Sequence, residues 1–288
     1  MAAISAPVPF REPNVLMRLA RRPTAFVGLL VIVVIAVLSI LAPWIAPYSP
    51  TQLAVANRLN GPSLIHFFGT DDMGRDVFTR VLYSGRTSLT VAVAVVVLAS
   101  IIGVFLGLVS GFFRRADAPI SRLIDAMMAF PDILLAIALV AALGASATNV
   151  VIALGLVYAP RLARVVRAST LVVRELPYVE AARALAVPTH TILVRHVLRN
   201  VASPLLVQAT FIFSSSILAE AGLSFLGVGI SPDIPTWGTM ISVGRQYLDA
   251  APWIMWFPGG AIVLTVLSLQ LVGDGLRDLL DPRLAKDI

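Results

Sequence analysis

Binding a nucleotide through a glycine-rich phosphate loop needs a lysine followed by a hydroxyl residue. This chain has one lysine, Lys286, and Asp287 follows it. The G-x-x-x-x-G-K-[ST] route is closed to it. The absence of cysteine removes disulfides, thiol catalysis and Cys-based metal sites together. His190 and His196 are not at the i, i+4 spacing of paired helical ligands, and His66 stands alone, so all three read as surface or capping residues. Ser224 lies in Gly222-Leu223-Ser224-Phe225-Leu226-Gly227, which is not G-x-S-x-G and has no strand–turn–helix context. Gly69, Thr70, Asp71, Gly74, Arg75 and Asp76 look superficially like a calcium loop. The register of oxygen ligands at positions 1, 3 and 5 with glutamate at 12 is missing. They read instead as an Asp–Arg-braced turn. The residue types therefore predict no catalysis, no bound cofactor and no metal.

One cassette remains after these exclusions. Glu180, Ala181, Ala182, Arg183, Ala184, Leu185 and Ala186 form a polar, helix-forming run that continues through Val187 and Pro188 to Leu198. The residue before a proline is disfavoured in the αR conformation, so the first helix should end near Ala186 and a second begin close to Thr189. An amphipathic helix resting on lipid head groups would also suit Arg183, Arg195 and Arg199. A helix–turn–helix that projects small residues and one carboxylate fits a protein groove better. Ala181, Ala182 and Ala184 are expected to form its low, approachable face.

The elements that carry this cassette belong to a membrane. Hydrophobic residues make up 58% of the 288 and charged residues 13%, against about 25% charged in an ordinary soluble domain. The excess of 22 Lys+Arg over 16 Asp+Glu is the kind that flanks spans and holds them in place, so nucleic acid is not an expected partner. An apolar run at 24–45 is too long for a signal-peptide core and long enough to cross a hydrocarbon layer. Charge-poor stretches follow at 87–113, 133–160, 201–219 and 250–273. The stretch at 133–160 is long for one helix and short for two. Reading it as one crossing would put Arg161, Arg164, Arg167, Arg174, Arg183, Arg195 and Arg199 outside, against the tendency of basic residues to stay in the cytoplasm. Two crossings, near 121–143 and 148–166, restore the rule. Asp125 and Asp132 then share a helix face and can point inward or snorkel. The expectation is an all-α, polytopic membrane protein with six transmembrane helices and both ends in the cytoplasm. Only Arg58, Arg75, Arg80, Arg86 and Arg245 of the 22 basic residues lie outside.

The segments expected are a tail at 1–23, a first transmembrane helix at 24–46, an external loop at 47–86, a core at 87–275 with a coupling loop at 175–199, and a tail at 276–288. Trp44, Trp237, Trp253 and Trp256 fall near the outer span ends, as interfacial tryptophans do. Gly103 and Gly107 form a G-x-x-x-G pair that permits close helix packing. Glu220, an ionisable group at membrane depth, is a candidate for the pathway or its gate. An interfacial carboxylate bonded to a neighbouring helix is the plainer reading of it.

Glu180-Ala181-Ala182 followed by Arg-Ala-Leu, and then Ile192, His196, Leu198 and Asn200, resembles the EAA loop of permease subunits in binding-protein-dependent ABC importers. The residues at 69–76, Phe130-Pro131, Ala219-Glu220-Ala221 with Leu223-Ser224-Phe225-Leu226-Gly227, and Trp237-Gly238 narrow the resemblance. Together they are similar to the second, C-type permease of dipeptide and oligopeptide importers, over about residues 16–284. The resemblance implies a type I importer permease that is not itself an enzyme. Its implied partners are a homologous second permease in a heterodimer, two cytoplasmic ATPases that use ATP and Mg, an extracytoplasmic binding protein, a peptide substrate and the lipid of a bacterial inner membrane. Glu180, Ala181, Ala182, Arg183 and Ala186 would couple to the ATPases. The related systems for nickel chelates, glutathione or oligosaccharides use very similar permeases. A stand-alone secondary transporter would need polar relays at the midplane that the spans lack, and a scaffold without transport would show no ATP-linked flux. The chain departs from the family at Ala186 and Arg199, where glycine and proline are usual. Alanine resists the left-handed conformation that glycine adopts freely, and Pro188 offers another route to the turn.

Overall fold

The computed structural model describes residues 22–280. Of the expected tails, residues 1–21 and 281–288, with Arg11, Arg18, Arg21, Arg283 and Lys286, lie outside the described residues. Within the described residues the chain is helical, with no strand and one isolated bridge between Thr70 and Asp76. The principal helices are α1 (Pro23–Ile40), α2 (Val77–Phe112), α3 (Arg114–Met128), α4 (Asp132–Leu143), α5 (Ala147–Val173), α6 (Pro177–Ala184), α7 (Thr189–Phe225), α8 (Trp237–Gly244) and α9 (Trp253–Leu280). Among the described residues, α1, α2, α5, α7 and α9 are long and apolar enough to cross a membrane, and the bent pair of α3 and α4 is the candidate for a sixth crossing.

The centre of the molecule is the packing of α2 on α5. A Cβ on Gly103 would stand 2.9 Å from the Ala159 carbonyl oxygen, one on Gly107 2.6 Å from Val166, and one on Gly111 2.6 Å from Thr170. Close approach therefore depends on all three glycines, one more than the expected pair. The residue numbers rise together along both helices, so α2 and α5 run parallel. The chain between them must return from the Phe112 end to the level of Ala147, and α3 and α4 make that return.

The return is not the straight span expected at 121–143. Helices α3 and α4 meet at 91°, across Ala129, Phe130 and Pro131. Proline disfavours helical geometry in the residue before it and has no N–H to continue the ladder. Helix α3 carries Arg114, Arg115, Asp117, Arg122 and Asp125 and is amphipathic. Helix α4 has 12 residues, a rise of about 18 Å against about 30 Å of hydrocarbon. A second departure concerns α2, which has 36 residues and begins inside the segment expected as external loop. Asp76 starts it by accepting a 2.8 Å hydrogen bond from the Thr79 amide, as N-cap carboxylates do. Helix α9, in turn, continues to Leu280, beyond the expected start of the tail.

Sidedness follows from antiparallel contacts. Arg22 pairs with Asp278, and Gly28 lies against Ser268 and Leu271, so the start of α1 and the end of α9 share a side. Val77, Met240, Ala251 and Ile254 cluster at the opposite side. Arg174 donates to the Gly111 carbonyl at 2.6 Å, which places the end of α5 and the loop after it on the side of Pro23 and Leu280.

The α2–α5 seam gives a direct test. Gly107→Val adds a branched side chain where a bare Cβ already overlaps Val166, and overpacking of this kind costs about 1–3 kcal/mol or more. The variant should show a lower thermal transition and a smaller monodisperse fraction after detergent extraction, whereas Gly259→Ala, with nothing within 4 Å of the added Cβ, should leave both unchanged.

Candidate functional site

The loop between α5 and α7 is built outward from two buried anchors. Val179 and Ala182 of α6 pack against Ile192 and Val197, which belong to the same core cluster. Helix α6 has Pro177 at its first position, where the missing N–H costs nothing. It ends in a Schellman turn: the Ala186 amide donates to the Arg183 carbonyl and the Val187 amide to the Ala182 carbonyl, each at 3.0 Å. Ala186 itself sits at φ +54°, the left-handed region. The position usually held by glycine keeps glycine's conformation, at a cost of about 1–2 kcal/mol for a residue with a Cβ.

Glu180, Ala181, Ala184 and Leu185 are exposed, Leu185 at 79%. The expected face of three alanines thus divides. Ala181 and Ala184 point outward and Ala182 inward, because i and i+3 or i+4 share a face while neighbouring positions do not. Arg183 is exposed, with its guanidinium carbon 4.8 Å from the ring centre of Phe112 at the end of α2. The amide nitrogen of Asn200 donates to Tyr178 Oη at 3.0 Å and to the His196 carbonyl at 2.6 Å. The loop is therefore fastened to α2, α5 and α7 together. Between Ile192 and Val197 the start of α7 widens into a π-helix, which periodicity in the sequence does not reveal.

On the opposite side the residues at 69–76 form a self-contained brace. Asp71 accepts from the amides of Met73 and Arg75 at 2.9 Å and from Arg75 Nε at 2.6 Å, with Arg80 Nε at 3.7 Å. Asp76 accepts at 2.9 Å from His66 Nδ1 as well as capping α2. Thr70 Oγ1 accepts from the Asn60 amide and donates to the Asn57 carbonyl. Gly69 and Gly74 lie at φ +74° and +73°, Gly69 against Trp253 and Gly74 against the Ala54 carbonyl. Among the described residues no three His, Asp or Glu side chains converge as metal ligands.

Glu220 is 2% exposed. Its Oε1 accepts from Ser224 Oγ at 2.8 Å and Thr236 Oγ1 at 2.9 Å, and Thr236 caps α8 through a capping box with Thr239. A Cβ on Gly238 would lie 2.6 Å from Ala221 Cα, so α8 rests directly on α7. Trp237 is buried, donating from its indole to the Val81 carbonyl at 3.1 Å and from its amide to Ser88 Oγ at 3.1 Å. It is a core residue and not the interfacial anchor expected, whereas Trp44 and Trp256 are well exposed.

A third group was hidden in the sequence. Arg161 and Arg164, expected at the cytoplasmic end of the span near 148–166, and Arg167, expected just beyond it, all lie within α5 at three-residue intervals on one face. They pair in order with Asp132, Asp125 (2.7 Å) and Asp117 (2.6 and 3.1 Å) of the bent pair. The arginines are three residues apart on one helix while the aspartates are eight and seven apart across the bent pair, so no shared interval in the sequence announces the pairing.

Residues 99–286 match the family described as binding-protein-dependent transport system inner membrane component. Residues 14–62 match the N-terminal TM domain of oligopeptide transport permease C. The chain is 46% identical to a putative peptide transport system permease protein of Brucella suis, over 99% of each. It is 44% identical to the dipeptide transport system permease protein DppC of Alkalihalophilus pseudofirmus, over 96% of this chain and 90% of the relative. Identity to the glutathione transport system permease protein GsiD of Pectobacterium atrosepticum is 43%, over 89% and 86%.

The left-handed alanine supplies the test for the loop geometry. Ala186→Gly should relieve about 1 kcal/mol of backbone strain. In hydrogen exchange, the amides of 186 and 187 should then be protected about fivefold more than in the parent, and Ala186→Val should lose protection.

Proposed function

The chain belongs to the family of binding-protein-dependent transport system inner membrane components, and on that footing we propose that it is the C-type permease of an ATP-driven importer of dipeptides and short oligopeptides. The observation that carries the coupling is the construction of α6. Two buried side chains fix it to the ends of α5 and α7, while Glu180, Ala181 and Ala184 face outward with little side-chain bulk. A small-residue helix with one carboxylate suits insertion into a groove on a partner ATPase. The chain has no lysine placed to bind nucleotide itself.

In this reading α6 and the inner ends of α1 and α9 lie in the cytoplasm, and the 47–76 segment and α8 face the binding protein. Two ATPases close on ATP and Mg and draw α6 with them. Because Asn200 and Arg183 tie α6 to α7 and α2, and Arg174 joins the end of α5 to α2, the displacement passes to α5 and α7 as a rigid-body movement. A homologous second permease supplies the other wall of the pathway. Glu220 keeps α8 seated on α7 at the outer side, a gate position without solute contact. The likeness to a glutathione permease favours one second reading, the same machinery carrying glutathione, itself a small peptide.

The test is uptake of labelled dipeptide by vesicles containing this chain, its companion permease, the ATPases and the binding protein. Glu180→Arg and Ala181→Trp, both on the outward face, should reduce ATP-dependent uptake by about tenfold or more, as truncation or obstruction of a buried interface anchor does. Membrane insertion should be unaffected. Uptake at the parent level in both variants would remove the coupling assignment.

A further inference from the structure

Three cavities follow one another along α5 and α7. The first, of about 300 Å³, is lined by Asp132, Leu154, Tyr158, Ser215 and Leu218. A second, of about 400 Å³, is lined by Arg161, Arg164, Val165 and Gln208. The third, of about 450 Å³, shares Val165 and Gln208 with the second and reaches Arg277 near the coupling side. The second and third therefore share part of one wall. The Arg161–Asp132 ion pair spans the first and the second, Asp132 lining one and Arg161 the other. The Arg161 guanidinium also lies 5.8 Å from the ring centre of Tyr158, and Tyr158 donates to the Ser215 carbonyl at 3.2 Å.

As a strut this pair is poorly made. Its side chains are 44% and 32% exposed, and exposed pairs contribute about 0–1 kcal/mol. Charges at membrane depth cost more than that and mark pathways or sites. Packing of α4 on α5 has an apolar basis in Ala136, Val140 and Val150, so the pair is not needed to hold the two helices together.

We infer that Arg161 and Asp132 form a charge-exchange site for zwitterionic solutes, the class that carries one free ammonium and one free carboxylate. A solute of this class can present its carboxylate to Arg161 and its ammonium to Asp132 as the resident pair opens. Every charge keeps a partner at each stage. A simple anion would leave Asp132 bare and a simple cation would leave Arg161 bare, and a bare charge at membrane depth is costly. The pair thus closes the groove to ions of one sign and opens it to peptides with free termini. The inference rests on the peptide-importer reading and adds to it the residues that meet the solute.

The experiment compares uptake of alanyl-alanine, lysyl-alanine and aspartyl-alanine by the complete reconstituted complex, each corrected for its affinity for the binding protein. Asp132→Asn leaves Arg161 alone and should raise the ratio of aspartyl-alanine to lysyl-alanine uptake by about tenfold; Arg161→Gln should shift it the other way by a similar factor. ATP hydrolysis stimulated by the loaded binding protein should stay within about twofold of the parent in both, since α6 is untouched. Equal fractional losses for all three peptides would mean a strut only and overturn the inference, leaving the importer reading intact. Should a single variant fail to assemble, the double variant Asp132→Asn with Arg161→Gln, which leaves no bare charge, decides the matter. The inference requires that its uptake of alanyl-alanine falls about tenfold, and parent-level uptake would overturn it. Absence of ATP-dependent uptake by the unsubstituted complex would refute the importer reading and this inference together.

Discussion

The parallel contact between α2 and α5 is the constraint on which the rest of the molecule depends. Three glycines one helical turn apart bring two backbones together at a separation no side chain would permit. Parallel neighbours cannot be joined by a short turn, so the intervening segment has to return through or along the bilayer. That requirement accounts for the broken α3–α4 unit, for the bend at Phe130-Pro131, and for aspartates coming to lie beside the arginines of α5. The α2–α5 contact also sets the loop between α5 and α7 at the end of a closely packed two-helix unit.

The two sides of the molecule are organised by opposite means. On the side of the 47–76 segment the polar groups are internally paired: Asp71 with Arg75 and two amides, Asp76 with His66 and the α2 terminus, Glu220 with Ser224 and Thr236. Each carboxylate has its donors at hand, which fixes the 47–76 segment and α8 as firm surfaces. At the loop between α5 and α7 the buried contribution is apolar, from Val179, Ala182, Ile192 and Val197, and the polar and small residues are left pointing away.

Much of this was legible in the chain. Charge-poor stretches and the bias of arginines located the long helices, and Pro188 located the break in the coupling loop. What was not legible depended on distant partners. Trp237 looks like any interfacial tryptophan until Ser88 and Val81, about 150 residues away in sequence, accept its two N–H groups. Arg161, Arg164 and Arg167 look like the end of a span because charge is costly in lipid, yet aspartates from α3 and α4 allow α5 to continue to Val173. Phe130-Pro131 was visible as a motif, but its effect as a corner depends on two flanking helices of unequal polarity. Ala186 was read as resisting the left-handed region that it nevertheless occupies, because the Schellman hydrogen bonds and the anchoring of Val187 outweigh a local preference.

The widened turn at Ile192–Val197 bears on how the chain can vary over evolutionary time. A π-turn accommodates one residue more than an α-turn at little change in rise. Loss of a single residue there would let the turn tighten to ordinary α geometry while Leu198–Phe225 kept the same azimuth toward α5 and α9. The same deletion a few residues later would swing the downstream face by about 100° and turn Glu220 away from Thr236. Length changes near the coupling loop should therefore accumulate in that one turn among descendants of this sequence, and the helix beyond it should be uniform in length.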